Sequence, residues 1–212
     1  MTTQQIDTKQ RLLDVAERLF ALNGYQGTSL RAITSEAQAN LAAVNYHFGS
    51  KEALLEAVLQ RRLGPLNKAR EEHLRQVLHT AETSQVSPQC IDVLRAFVEP
   101  TLCFREEGTG ARHFLLLLGR SVAEADEVVR QSFLRQVRPI FLLFKQCLEL
   151  ALPQLPEKTL LARLHFTIGA LHHVMCMPLQ ANIAPPELIL QPDTNAMLDL
   201  LLPYLTAGME AP

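Results

Sequence analysis

The spacing of apolar residues over the first sixty positions constrains this chain more than any other feature. Leu12, Val15, Ala16, Leu19 and Phe20 fall at i, i+3, i+4, i+7 and i+8, one face of an amphipathic helix from Thr8 to Asn23. Gly24 closes it, because a residue without Cβ accepts the left-handed backbone of a helix C-terminus. Thr28 stands where it would N-cap a short second helix whose inward face is Leu30, Ile33 and Ala37. Asn40 is placed to cap a third helix ending near Phe48. Gly49 and Ser50 break and re-cap the chain, and Lys51 opens a long fourth helix carrying Leu54, Leu55, Val58, Leu59 and Leu63. No segment sustains the apolar/polar alternation of a half-buried strand. The expected fold class is all-α.

Beyond Leu63 the pattern coarsens. Thr80–Ser87 reads as a polar connection, with Ser87-Pro88 as cap and first turn of the next helix. Further helices are expected at 89–105, 110–121, 124–152, 157–180 and 194–207, about nine in all. Gly108 and Gly110 bracket one turn, Pro153 and Pro156 a second, and Pro185, Pro186 and Pro192 a third. Pro139 falls inside a helical pattern and is expected to kink it. The division this suggests is a small module at residues 1–62 and a larger helical body at 63–212.

Three short helices with a tight turn between the second and third fit a helix-turn-helix. With Val44 pointing inward, Phe48 lies about 40° away at ~100° per residue, so both can face the core. Ala42 and Tyr46 then point nearly opposite, with Ala43 and Asn45 on the flanks. An Asn side chain pairs with adenine in the major groove, and a small Ala lets the helix approach a thymine methyl. Tyr46, Thr28 and Lys51 suit phosphates, the last two at helix N-termini. Periodicity alone leaves open a plain three-helix packing unit with a solvated third helix.

The residues themselves add to this. Residues 9–63 resemble the DNA-binding domain of TetR-type transcriptional regulators. The likeness runs through Ala16-Glu-Arg-Leu-Phe20, Gly24-Tyr-Gln-Gly-Thr28-Ser29-Leu30-Arg31-Ala-Ile33 and Tyr46-His47-Phe48-x-Ser50-Lys51-Glu52-x-Leu54. The resemblance implies that Tyr46, His47 and Lys51 contact phosphates. It also implies that Asn40, Leu41, Ala42, Ala43 and Asn45 read bases, with Thr28, Ser29 and Arg31 supporting the DNA contact. Gln38 stands where the family usually has a turn glycine, and Asn45 where a larger residue is common. A narrower likeness, through Asn40–Lys51, Leu117-Leu118-Gly119 and Arg163–Ala170, is to the PsrA-like, fatty-acid-responsive subgroup.

Charge at first opposes a DNA partner. The 20 Lys+Arg and 22 Asp+Glu leave a net charge of -2, far from the basic balance of a small nucleic-acid-binding domain. The sum hides two unlike parts. The first 75 residues carry 10 basic and 8 acidic side chains, the remainder 10 and 14. Cys90, Cys103, Cys147 and Cys176 show no CxxC pair, so thiols in a reducing cytoplasm are expected. No secretory signal and no membrane partner are expected either. Without a GxSxG elbow, a GxxxxGK[ST] loop or an HExxH motif, nothing nominates an enzyme, and no cofactor or metal is expected.

For the body the expectation is an interhelical pocket for a small hydrophobic ligand, involving His113, Leu117, Arg120, Phe144, Phe166 and His172. Arg120 would either pair with an anionic head group, or pair with Glu124 or emerge at the surface. His165, His172 and Cys176 share a helix face, as a soft-metal site or as core and interface residues. The last two helices are the expected dimer surface, with Leu198, Leu201, Leu202 and Leu205 as its apolar stripe. The function that follows is a homodimeric transcriptional regulator, a repressor released from a palindromic operator in double-stranded DNA by a fatty-acid-like ligand. The alternative is a helical small-molecule carrier or sensor without specific DNA binding.

Overall fold

A computed structural model describes residues 3–106, 108, 110–111, 113–117, 126–176 and 193–212. Among these, every regular element is helical. The helices are α1 (Thr3–Asn23), α2 (Leu30–Glu36), α3 (Leu41–His47), α4 (Lys51–Ser84), α5 (Cys90–Arg105), α6 (Glu127–Ala151), α7 (Glu157–Cys176) and α8 (Thr194–Glu210), with further helical backbone at 113–117. The chain forms two compact units. One is Met1–Pro65 with Glu107–Val137, the other Leu66–Glu106 with Arg138–Pro212. Both α4 and α6 contribute residues to each.

In the first unit α1, α2 and α3 pack against one another. Leu12, Ala16, Phe20, Ile33 and Val44 are fully buried, as are Leu54, Leu55, Val58 and Leu59 of α4. Helices of seven residues do not persist alone in water, so α2 and α3 exist because these side chains give them a common core. Gly24 has φ +73°, and its N–H reaches the Phe20 carbonyl at 3.0 Å. Thr28 does not cap α2. Ser29 does, its hydroxyl accepting from the Ala32 N–H at 3.1 Å. Thr28 is buried instead and donates to the Leu19 and Gly24 carbonyls at 3.0 and 2.8 Å, tying the turn to α1.

The turn between α2 and α3 shows what replaces its glycine. Gln38 takes φ +50°. The Ala39 N–H bonds to the Thr34 carbonyl at 2.9 Å and the Gln38 N–H to that of Ser35 at 3.3 Å, the paired bonds of a Schellman ending. An L-residue in the left-handed region costs about 1–2 kcal/mol, partly offset by its smaller loss of chain entropy. Gln38→Gly is therefore expected to raise stability by roughly 0.5–1 kcal/mol, read as a higher urea midpoint at unchanged slope.

Two boundaries in the second unit differ from expectation. Residues 80–84 are helical, the last turn of α4. There the Thr80 and Thr83 hydroxyls donate to the Gln76 and His79 carbonyls at 2.9 and 2.8 Å, so both hydroxyls are satisfied within the helix. The next helix starts after Gln89, not at Ser87-Pro88, and has no side-chain cap. Pro139 lies inside α6 as expected, and Pro65, Pro100 and Pro203 also sit within helices.

Phe97 of α5 anchors the core of this unit, stacked on Phe144 with ring centroids 4.2 Å apart and tilted against Phe141 at 5.7 Å. Helix α8 lies chiefly against α5. Asp193 caps it through the Ala196 N–H at 2.8 Å, and Arg163 donates to the Met209 and Ala211 carbonyls at its far end, both at 2.8 Å. Leu198, Leu201, Leu202 and Leu205 are therefore buried within the chain and not available to a partner. Periodicity identified a buried face correctly but not what buries it. The expected turns at 185–186 and 192 lie outside the described residues, as does the continuation of the helices expected at 110–121 and 157–180.

Candidate nucleic-acid interface

The geometry of α3 follows from one buried side chain. Val44 is fully enclosed, while Leu41, Ala42, Asn45 and Tyr46 are exposed and Ala43, His47 and Phe48 half-exposed. Asn40 caps the helix, its Oδ1 accepting from the Ala43 N–H at 2.8 Å. That oxygen is thus engaged within the chain, which leaves Asn45 as the exposed amide on α3.

A second group of side chains gathers where α3 ends and α4 begins. Tyr46 is 68% exposed and meets the His47 ring edge to face at 5.0 Å. Ser50 caps α4 through the Ala53 N–H at 3.0 Å. The Lys51 ammonium sits 4.2 Å from the centre of the Tyr25 ring. Burial lowers the Lys51 pKa from its ordinary value, and Asp126 pulls it back; burial raises that of the Tyr25 hydroxyl, helped by Glu52 and Asp126. The aromatic face holds the ammonium, and Lys51 opens α4, whose N-terminal dipole also favours an anion. Lys9 lies 6.0 Å from the Phe48 ring centre and adds a cation on the α1 side. Sequence reading missed Lys9 because its partner ring is nearly forty positions away.

The remaining expected DNA residues divide. Ser29 and Arg31 are exposed at the start of α2, whereas the Thr28 side chain is turned inward and its proton already donated. Charge also fastens α1 to α4. Glu17 of α1, 1% exposed, is held by both Arg61 and Arg62 of α4; Arg62 Nε lies 3.0 Å from its Oε1, and Arg61 also reaches Asp14 at 2.6 Å. Gly110 lies so close to the Arg62 guanidinium that a Cβ there would collide with it.

Two family models match this chain. The one described as bacterial regulatory proteins, tetR family, matches residues 12–58, and the one described as tetracyclin repressor-like, C-terminal domain, matches residues 95–208. The chain belongs to the TetR family. Among its relatives are the nicotine-responsive transcriptional repressor HdnoR of Paenarthrobacter nicotinovorans, 42% identical over 57 residues, and the transcriptional regulator LmrA of Bacillus subtilis, 32% identical over 99 residues. The alignments cover 27% of this chain and 29% of the first relative, and 46% and 47% for the second. The chain thus spans less than half the length of the curated relatives it matches.

Solved TetR-like structures share the fold over nearly the whole chain. The fatty acid degradation regulator FadR from Bacillus halodurans superposes with a TM-score of 0.70 at 12% identity over 96% of both chains. Salmonella enterica GusR gives 0.66 at 18% identity over 100% of this chain and 99% of that one. No helix among the described residues is long and apolar enough to cross a membrane.

The expected ligand residues of this TetR-family chain are spread over both compact units. His113 and Leu117 belong to the first unit, Phe144, Phe166 and His172 to the second, and Arg120 lies outside the described residues. His113 lines a cleft of about 310 Å³ with Asp14, Val15, Glu17, Arg18, Arg61 and Arg62. Leu117 and Phe144 are buried, Phe144 in the aromatic stack. Phe166 is 74% exposed and lines an open cavity of about 350 Å³ with Arg163, Thr167 and Tyr204. His172 is half-buried, its pKa lowered by burial and by neighbouring His173, while His165 is exposed. Among the described residues no three His, Cys, Asp or Glu side chains stand together as a metal site.

Proposed function

We propose that this chain is a homodimeric, DNA-binding transcriptional regulator, a repressor released from a palindromic operator by a small hydrophobic, fatty-acid-like ligand. The observation that carries the reading is the outer face of α3: Leu41, Ala42, Asn45 and Tyr46 stand in solvent while Val44 alone is locked inside. A helix that exposes small and amide side chains beside a phosphate-ready helix N-terminus is shaped for a major groove. Residues 1–62 form the DNA-binding domain and residues 63–212 the ligand-binding and dimerisation domain, acting in the cytoplasm. Ala43, His47, Ser29 and Arg31 support the DNA contact, with Lys9 added to the phosphate group. Ligand response draws support from the name of the nicotine-responsive relative, and the fatty-acid class from the PsrA-like segments of the sequence.

The dimer face is the outer side of α7 and α8. Phe166 and Tyr204 are 74% and 70% exposed there, with Leu161 and Leu200, a concentration of large apolar side chains that an isolated protomer would not leave in water. Two copies related by a two-fold axis would read half-sites one or more DNA turns apart, ~34 Å per turn.

The deciding experiment is a gel shift with DNA from immediately upstream of the gene. A sequence-specific complex is expected at a palindrome, and the absence of one there and at neighbouring promoters sinks the reading. The dimer is tested by Phe166→Glu with Tyr204→Glu. Sedimentation is expected to give a monomer, and operator affinity to fall roughly 100-fold or more, because one half-site no longer tethers the other. A doubly substituted protein that remains dimeric places the interface elsewhere.

A further inference from the structure

The second unit encloses a cation. Arg70 of α4 is 6% exposed, yet among the described residues no carboxylate pairs with it. Its partners are neutral: Nε and Nη2 donate to the Thr101 hydroxyl at 3.1 and 2.7 Å, and Nη1 to Asn67 Oδ1 at 3.1 Å. The guanidinium carbon lies 4.3 Å from the centre of the Phe97 ring. Burial alone pulls its pKa down to about 9. A guanidinium taken out of water without an opposite charge is a standing cost to stability.

The fork is also held in one orientation. Thr101 accepts twice from Arg70 and donates its own proton to the Phe97 carbonyl at 2.8 Å, so the hydroxyl is fully engaged. Phe97 is in turn fixed by stacking on Phe144. A guanidinium has five N–H donors. Three are accounted for by these bonds, which leaves two, one on each terminal nitrogen. A fixed pair of donors bearing an uncompensated charge matches the two oxygens of a carboxylate.

We propose that Arg70 is the anchor of the ligand site in the helical body, and that the ligand it takes is an organic carboxylate. The inference rests on the reading that this body binds a ligand, and it moves the anionic anchor from Arg120, where the sequence suggested it, to Arg70. The guanidinium lies against Phe97, itself stacked on Phe144, and this apolar flank favours an organic acid over a free inorganic ion.

The test compares the ligand-stripped protein with Arg70→Met and Arg70→Lys by thermal unfolding, alone and with octanoate, palmitate, benzoate or phenylacetate. Octanamide and benzamide serve as neutral controls. Without ligand, Arg70→Met is expected to melt several degrees higher than the natural protein, because a buried uncompensated charge has been removed. At least one carboxylate is expected to raise the melting temperature of the natural protein, the amides to leave it unchanged, Arg70→Met to lose the shift and Arg70→Lys to keep part of it. A lower melting temperature for ligand-free Arg70→Met overturns the proposal, since it means that the protein itself neutralises the charge. So does a carboxylate shift that survives Arg70→Met, or no shift of the natural protein by any of the four acids. Gel shifts on the same samples separate the two claims: a carboxylate response without operator binding removes the regulator reading and leaves the Arg70 site standing.

Discussion

Replacing Glu17 by Gln is expected to destabilise the protein by about 3 kcal/mol and to lower its melting temperature by roughly 6–12 °C. Glu17 is 1% exposed and carries two arginines from α4. Removing its charge leaves Arg61 and Arg62 facing a neutral group in a site where water reaches them only in part. Breaking a buried ion pair on one side typically costs about 3–5 kcal/mol; the lower end applies because both guanidinium groups keep some solvent and Arg61 keeps Asp14. The comparison that isolates the argument is Asp14→Asn. Asp14 is the exposed partner of the same Arg61, and surface pairs contribute about 0–1 kcal/mol. If the two variants lose equal stability in urea unfolding, burial of Glu17 is not what makes the clamp strong.

That clamp lies partly beyond the reach of sequence reading, and the reason is general. Periodicity reports which side of a helix is covered, so the inward residues of α1 to α4 were legible, as was the cap at Asn40. It does not report what does the covering. The stripe Leu198, Leu201, Leu202 and Leu205 reads the same whether a second copy or α5 lies against it, and in the fold it is α5. Neighbouring hydroxyls are similarly ambiguous: Thr28 and Ser29 both suit an N-cap, and only the packing of the turn onto α1 sends the threonine inward.

Charged residues are the hardest to place. Arg70 stands among Lys68, Glu71, Glu72 and His73 and reads as part of a solvated face, although a side chain from α5 draws it into the core. Glu17 sits in the same position with the opposite sign. Residues whose roles depend on partners thirty or more positions away left no local signal. The residues of the α3 surface needed none, because their exposure follows from one helix and one buried valine.

The junction of α3 and α4 gives the largest functional effect. Tyr46→Ala combined with Lys51→Ala is expected to weaken operator binding at least ~100-fold while leaving the fold intact. Each hydrogen bond to a charged phosphate is worth about 1.5–3 kcal/mol, and a dimer would lose four of them. Stability should change little, because Tyr46 is largely in solvent and touches chiefly the His47 edge. Lys51 gives up its contact with the Tyr25 ring, worth about 0.5–1 kcal/mol at a partly exposed site, and a charge attraction to Asp126. Lys51→Ala alone supplies a sharper reading. Removing one phosphate-bound cation from each protomer should reduce the slope of log affinity against log salt by about 2, whereas Tyr46→Phe, which removes a hydroxyl and no charge, should lower affinity without moving that slope. An unchanged slope in Lys51→Ala would place the ammonium away from phosphate, held by the Tyr25 face for the fold alone. A loss of helical signal in the double variant would give both residues a structural role and leave DNA recognition to Asn45 and the small face of α3.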